Sequence, residues 1–216
     1  KFFLYITVFI TGMAVTAIEL TASRLLAPYF GASLFIWTNI IGVVLLALSL
    51  GYYIGGKLAD KNSGGLAKKI MYPLIFVTGI LIAIIPFVGK PIFLFAYSAI
   101  SQRDISLFFS SLLATFVLFT IPIFILGMIS PLAARLGLNK MEDAGKTLGS
   151  IYAFSTLGSI VGTFLPVLVT IPFLGTRETF FIFGGLLILL GIIGMKRAIF
   201  LPFILIPVVF FFVPSS

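Results

Sequence analysis

The chain contains no cysteine and no histidine, and only 9% of its 216 residues are charged. Without cysteine there is no disulfide, no zinc–thiolate site and no thiol nucleophile. Without histidine, no imidazole can act as ligand, general base or proton relay near neutral pH. The acids number six, Glu19, Asp60, Asp104, Glu142, Asp143 and Glu178, and they are scattered along the chain. No strand–turn–helix pattern leads into a glycine cluster, which excludes a nucleotide-binding turn of the Rossmann type. The sequence offers no catalytic residues, and it implies neither a metal nor an organic cofactor. So few charges cannot cover the surface of a soluble domain of this length.

Apolar residues fill the space instead. Hydrophobic side chains make up 61% of the chain, and the mean hydropathy is +1.27. Apolar runs near 20 residues read as spanning helices, because only a helix satisfies its own backbone in hydrocarbon. Seven such runs are predicted, at about 2–22, 35–57, 70–89, 105–129, 147–172, 178–195 and 198–213. The fold class is therefore all-α, a polytopic transmembrane helix bundle forming a single domain over 1–216. The last run is short and broken by Pro202 and Pro207, so six spans is the alternative count. The first run is a retained helix, since Glu19 stands where a signal peptide needs small neutral residues. Residues 24–34 are too short to cross and are expected to form a short interfacial helix or turn. The chain opens at Lys1 without Met and stops at Pro-Ser-Ser, and it is expected to be a fragment of a longer protein.

Charge placement sets the orientation. With the N-terminus cytoplasmic, Lys1, Lys57, Lys61, Lys68, Lys69, Arg135, Lys140, Lys146, Lys196 and Arg197 lie inside. Only Arg24, Lys90, Arg103 and Arg177 lie outside. That bias is the positive-inside pattern. It also accounts for the net charge of +8 through anionic lipid headgroups, without nucleic acid as a partner.

Small residues four apart let helix backbones approach closely in lipid. Gly51 with Gly55, Gly145 with Gly149 and Gly158 with Gly162 have this spacing. The fifth run is the richest in small residues and is expected to be the central, most contacted helix. No repeat between the two halves of the chain is evident.

The polar residues in and beside the spans concentrate between Glu19 and Asp60. Glu19 is the one carboxylate well inside an apolar run. Such a group costs about 2.5–3.5 kcal/mol unless paired, which makes it a candidate site for a cation or proton. Its position near the end of the run equally allows snorkelling, or pairing with Arg24. A spacing of five places those two about 140° apart on a continuous helix, so pairing requires a bend. Arg24 otherwise suits a headgroup or carboxylate, and Asn39 is either part of a substrate site or a helix cap. Trp37 reads as an interfacial anchor. Lys57, Asp60 and Arg135 at the cytoplasmic ends are candidates for gating or loop contacts, or are simply solvated. Thr176 is the expected N-cap of the sixth span, with Glu178 near its positive end.

Gly56, Leu58, Ala59, Asp60 and Lys61 resemble the first part of the GxLaDrxG-like loop of major-facilitator transporters. Asn62-Ser63-Gly64-Gly65 departs from the rest of that loop. More broadly, ELTASRLLAPYFGASLFIWTNIIGVVLLALSLGYYIGGKLAD and GSIYAFSTLGSIVGTFLPVLVTIPFLGTRETF resemble the membrane half of fused major-facilitator-like/spermidine synthase proteins of bacteria and archaea. The resemblance implies a half bundle of major-facilitator type in a prokaryotic plasma membrane. It implies a soluble aminopropyltransferase-like domain elsewhere, and that domain's chemistry has no residues here. The chain would then anchor a catalytic domain and handle its polyamine. A small cation or polyamine transporter that works as an oligomer, and a packing subunit of a larger membrane complex, are the other two readings.

Overall fold

The computed structural model describes residues 2–61, 64–100, 106–138 and 144–196. Six helices long and apolar enough to span a bilayer occur among them: α1 (Phe2–Phe30), α2 (Leu34–Lys61), α3 (Gly64–Ile100), α4 (Ser106–Gly137), α5 (Ala144–Phe173) and α6 (Thr176–Met195). The protein is thus a membrane-embedded helical bundle. The expected run 198–213 lies outside the described residues.

Several boundaries differ from those expected. α1 does not stop near residue 22 but continues to Phe30, so the expected interfacial segment is largely its last two turns. Pro28 removes one backbone donor, yet it falls in the final turn, where little of the ladder is left to break. Gly31, at φ 83°, then ends the helix, its N–H donating to the Ala27 carbonyl at 2.9 Å. This is a left-handed C-terminal stop that glycine adopts without strain. In α5, Pro166 opens a π-helical turn over Pro166–Thr170 before the helix resumes through Phe173. Proline leaves a carbonyl without its usual partner, and local widening of the turn accommodates the defect. The cap of α6 is Gly175 rather than Thr176, and no side chain caps it. Thr179 instead donates to the Gly175 carbonyl at 2.7 Å.

Short links make sequential helices antiparallel, but of the principal packing pairs only α3/α4 is sequential. α2 packs on α4, α1 on α5, and α3 on both α6 and α4. Three of these seams, α2/α4, α1/α5 and α3/α6, are built on glycine. Gly51 and Gly55 of α2 meet Phe124, Gly127 and Met128 of α4, where a Cβ on Gly55 would stand 2.7 Å from the Met128 Cα. Gly158 and Gly162 of α5 meet the backbone of Phe9 and Met13 of α1. In the α3/α6 seam Gly79 and Gly184 face each other, and a Cβ on either would lie 2.6–2.8 Å from the other's carbonyl oxygen. With so little side chain between them, backbones approach until dispersion is maximal.

These seams reveal a repeat. Residues 9–13 read FITGM and residues 124–128 read FILGM, and each supplies the surface on which the partner helix's two glycines rest. Exchanging α1 with α4, α2 with α5 and α3 with α6 turns the α1/α5 seam into the α2/α4 seam. It returns α3/α6 to itself and relates the α3/α4 contact to α1/α6. Matched helices are three spans apart and cross in opposite senses, the arrangement of an inverted repeat.

The repeat also corrects the place of α5. It is the least buried of the six helices, at the edge of the bundle. Its small residues serve one seam only. Gly149 is exposed and a Cβ there would meet nothing within 4 Å, as at Gly145, so that pair packs no helix.

Candidate functional site

α2 and α5 form no substantial seam with each other, whereas each packs tightly on α4 or α1. α1 and α4 consequently form the floor of a groove whose walls are α2 and α5. A cavity of about 230 Å³ lies in this groove, lined from α1 by Thr11, Thr16 and Glu19, from α5 by Ser155 and Ser159, from α4 by Leu126 and Ser130, and from α2 by Leu45, Leu48 and Tyr52, among others.

Glu19 is half-buried here. Among the described residues it has neither a hydrogen bond nor an ion pair, and no Lys or Arg lines the cavity. Two hydroxyls beside it are committed to the α1/α5 seam. Thr16 Oγ1 donates to the Ser159 carbonyl at 2.9 Å, and Ser159 Oγ donates to the Gly12 carbonyl at 3.2 Å. Those bonds leave hydroxyl lone pairs able to accept from a ligand. Polarity is unevenly distributed. The α1 floor and the α5 wall carry the carboxylate and four hydroxyls, whereas α2 and α4 contribute mostly aliphatic surface, with Tyr52 and Ser130 the exceptions. A ligand held here would place a cationic head on the Glu19 side and carbon against Leu45, Leu48 and Leu126.

The other sequence candidates fall elsewhere. α1 is continuous past residue 24, so no bend brings Arg24 round to Glu19. Arg24 is exposed and lines a separate pocket of about 190 Å³ with Ser23, Gly31 and Trp37. Asn39 is buried and clamps α2 to α4, donating through Nδ2 to the Phe108 carbonyl and to Ser111 Oγ, both at 2.9 Å. It also lines a cleft of about 580 Å³ between those helices whose wall is otherwise almost wholly apolar. Lys57 and Asp60 are exposed at the end of α2, with the Lys57 ammonium 4.1 Å from the Tyr53 ring centroid. Arg135, also exposed, ends the adjacent α4. Arg177 lies 5.3 Å from the ring centroids of both Phe87 and Phe181, a cation–π placement.

Sequence placed Ser155 and Ser159 only among the small residues of the fifth run, took Ser130 with Pro131 for a helix end or kink although α4 continues to Gly137, and singled out none of Thr11, Thr16 and Tyr52. Their helical spacing carried a signal, since Thr16 with Glu19 and Ser155 with Ser159 each share one helix face. What the spacing lacked was the pairing of α1 with α5. Comparison with protein-family models, curated proteins and solved structures finds no match to this chain.

Proposed function

We propose that this membrane bundle binds a small aliphatic amine in the α1/α2/α4/α5 groove, with Glu19 as the counter-ion of its ammonium group. The observation that carries the reading is one unpaired carboxylate in a cavity with hydroxyls on one wall and aliphatic side chains on the other. An ionisable group at this depth is costly to retain without a partner, and an ammonium group supplies the missing charge and donors. About 230 Å³ lies below the ~300–1,000 Å³ of pockets for drug-sized ligands, which suits a ligand of a few heavy atoms.

The resemblance to fused major-facilitator-like/spermidine synthase proteins narrows the amine to the polyamine class. On this reading the chain is the membrane domain of such a protein in a prokaryotic plasma membrane, with its N-terminus cytoplasmic. Aminopropyl transfer would belong to another domain. Transport of the amine is the second reading, and the inverted packing of the two three-helix units favours it, because many secondary transporters are built this way.

The test is binding of 1,4-diaminobutane to purified protein in detergent, read by calorimetry, beside Glu19→Gln. Binding that is lost in the variant supports the proposal, and equal binding by both proteins refutes it. Flux of labelled amine into liposomes separates carriage from anchoring.

A further inference from the structure

The cleft of about 580 Å³ between α2 and α4 shares no lining residue with the Glu19 cavity. The two helices run parallel, since Asn39 meets Ser111 and Gly51 meets Gly127. Both therefore enter the membrane from one side. Thr38, Asn39 and Phe108 line the cleft beside the helix N-termini, and Leu46 and Phe116 line its deeper end. From Thr38 to Leu46 it is about 12 Å long, at 1.5 Å of rise per residue.

The polar end holds acceptors without donors. Asn39 is only 3% exposed, and its Nδ2 is taken up by the Phe108 carbonyl and Ser111 Oγ. Its Oδ1 accepts no hydrogen bond among the described residues. That oxygen is not sealed inside the protein, as the unpartnered Ser110 Oγ and Thr120 Oγ1 are, so it opens on the cleft that Asn39 lines. Thr38 Oγ1 gives its proton to the Leu34 carbonyl at 2.9 Å and keeps only lone pairs for a ligand. Among the described residues, no Lys, Arg, Asp or Glu lines the cleft. An acceptor held against hydrocarbon is costly without a donor, and lipid tails, esters and phosphates carry none.

A second observation concerns the room left for a ligand. Gly42 lies midway along the α2 wall, and an added Cβ there would meet nothing within 4 Å. Unlike Gly51 and Gly55 it serves no helix seam, although glycine is a poor helix former. Its missing side chain deepens the cleft opposite Phe109, Leu113 and Phe116, all exposed.

The geometry points to a binding site for an uncharged lipid with a hydroxyl head, of the long-chain alcohol class, whose O–H donates to Asn39 Oδ1 while its chain lies over Gly42 toward Leu46 and Phe116. The walls select this chemistry. A carboxylate or phosphate would set its lone pairs against those of Asn39 and Thr38, and an ammonium group would find no counter-charge. A hydroxyl supplies the missing donor without adding charge. The polarity of the cleft also has the direction of an amphiphile in a bilayer, with its head near the surface and its chain toward the midplane. The volume lies within the ~300–1,000 Å³ of pockets in which a few polar groups orient a mostly apolar ligand.

The test uses the full chain in nanodiscs and a dodecanol analogue with a photoreactive diazirine on its chain, the labelled residues being mapped by mass spectrometry. Labelling should concentrate on residues 38–46 and 108–116. Dodecanol should compete at about fivefold lower concentration than its methyl ether, the factor that one neutral hydrogen bond of ~1 kcal/mol gives where tenfold is ~1.4 kcal/mol. This comparison leaves the Asn39 clamp itself untouched. Gly42→Phe should fill the cleft and abolish the labelling without lowering the melting temperature, and Asn39→Leu should remove the preference for alcohol over ether. Equal competition by alcohol and ether, as a water on Asn39 or simple chain packing would give, overturns the hydroxyl site. Labelling that spreads over α3 and α6 and persists in Gly42→Phe overturns the cleft as a site. None of these readouts involves Glu19, so the amine reading is tested separately.

Discussion

Replacing single glycines with alanine distinguishes seam glycines from idle ones, and the expected signs differ. A Cβ at position 158 would run into the backbone carbonyl of Phe9, and one at 162 into that of Met13. Neither obstacle is a flexible side-chain end. α1 and α5 must separate, which loosens the seam along its length and strains the Thr16–Ser159 bond of 2.9 Å. Overpacking of this kind costs about 1–3 kcal/mol. At Gly149 the added methyl meets nothing, so only propensity acts, and Ala exceeds Gly by about 1 kcal/mol within a helix. Gly158→Ala should therefore lower the apparent melting temperature in detergent by roughly 2–12 °C, at about 2–4 °C per kcal/mol for a chain of this size. Gly149→Ala should leave it unchanged or raise it. The repeat adds a stricter demand, because Gly51 abuts Phe124 as Gly158 abuts Phe9. Gly51→Ala should therefore also destabilise, within the same range of about 1–3 kcal/mol, and the two losses should add in the double variant to within about 0.5 kcal/mol. Melting followed by the single Trp37, or by retained monodispersity after heating, reads all of these variants. Equal losses at positions 149 and 158, or a neutral Gly158→Ala, would refute the seam argument.

Other outcomes follow from individual contacts. Asn39→Leu removes both donors that clamp α2 to Phe108 and Ser111 and should cost about 0.6–2 kcal/mol in thermal or denaturant unfolding. Thr179→Val breaks its bonds to Thr170 Oγ1 at 2.9 Å and to the Gly175 carbonyl. It should loosen the α5–α6 turn, seen as faster cleavage there by added protease, whereas Thr179→Ser should not. Single cysteines at Ala32 and Leu66, both exposed beside short links, should react with a membrane-impermeant thiol reagent from opposite sides of intact cells, Ala32 from outside. Reaction of both from one side contradicts the alternating topology, and the reverse pattern contradicts a cytoplasmic N-terminus.

The class, and the six spans among the described residues, were accessible from sequence because they rest on composition and length alone. A run that must hide its backbone from hydrocarbon has few choices. The glycines of α2 and of the middle of α5 were legible for a similar reason, since a missing side chain in lipid has value chiefly as an approach point. Gly149 broke the rule because spacing says which residues share a face and nothing about what that face meets. The α1 boundary was missed at Pro28, where a helix breaker so close to the end breaks little. The site itself was half legible. Glu19 stood out by charge, whereas Thr16, Ser155, Ser159 and Ser130 became a set only when α1 was laid on α5 and α4. Long-range pairing of this kind is invisible to local pattern, although FITGM and FILGM, compared with each other, would have disclosed it.

The repeat makes the site's asymmetry informative. Aligning FITGM with FILGM sets Glu19 against Ala134, Thr16 against Pro131 and Val15 against Ser130. The same operation on α2 and α5 sets Leu48 against Ser155 and Tyr52 against Ser159. The positions lining the cavity are thus equivalent in backbone and unlike in chemistry, with the carboxylate on one side only. Glycines, which hold the seams, agree between the halves, and side chains that could touch a ligand do not. Packing alone would be served as well by Ala at position 19 as it is at 134, and Ala would be free of the cost of a buried charge. Because the scaffold accepts Ala at 134, packing does not demand Glu at the equivalent position 19, and that difference supports the proposal that Glu19 serves a ligand.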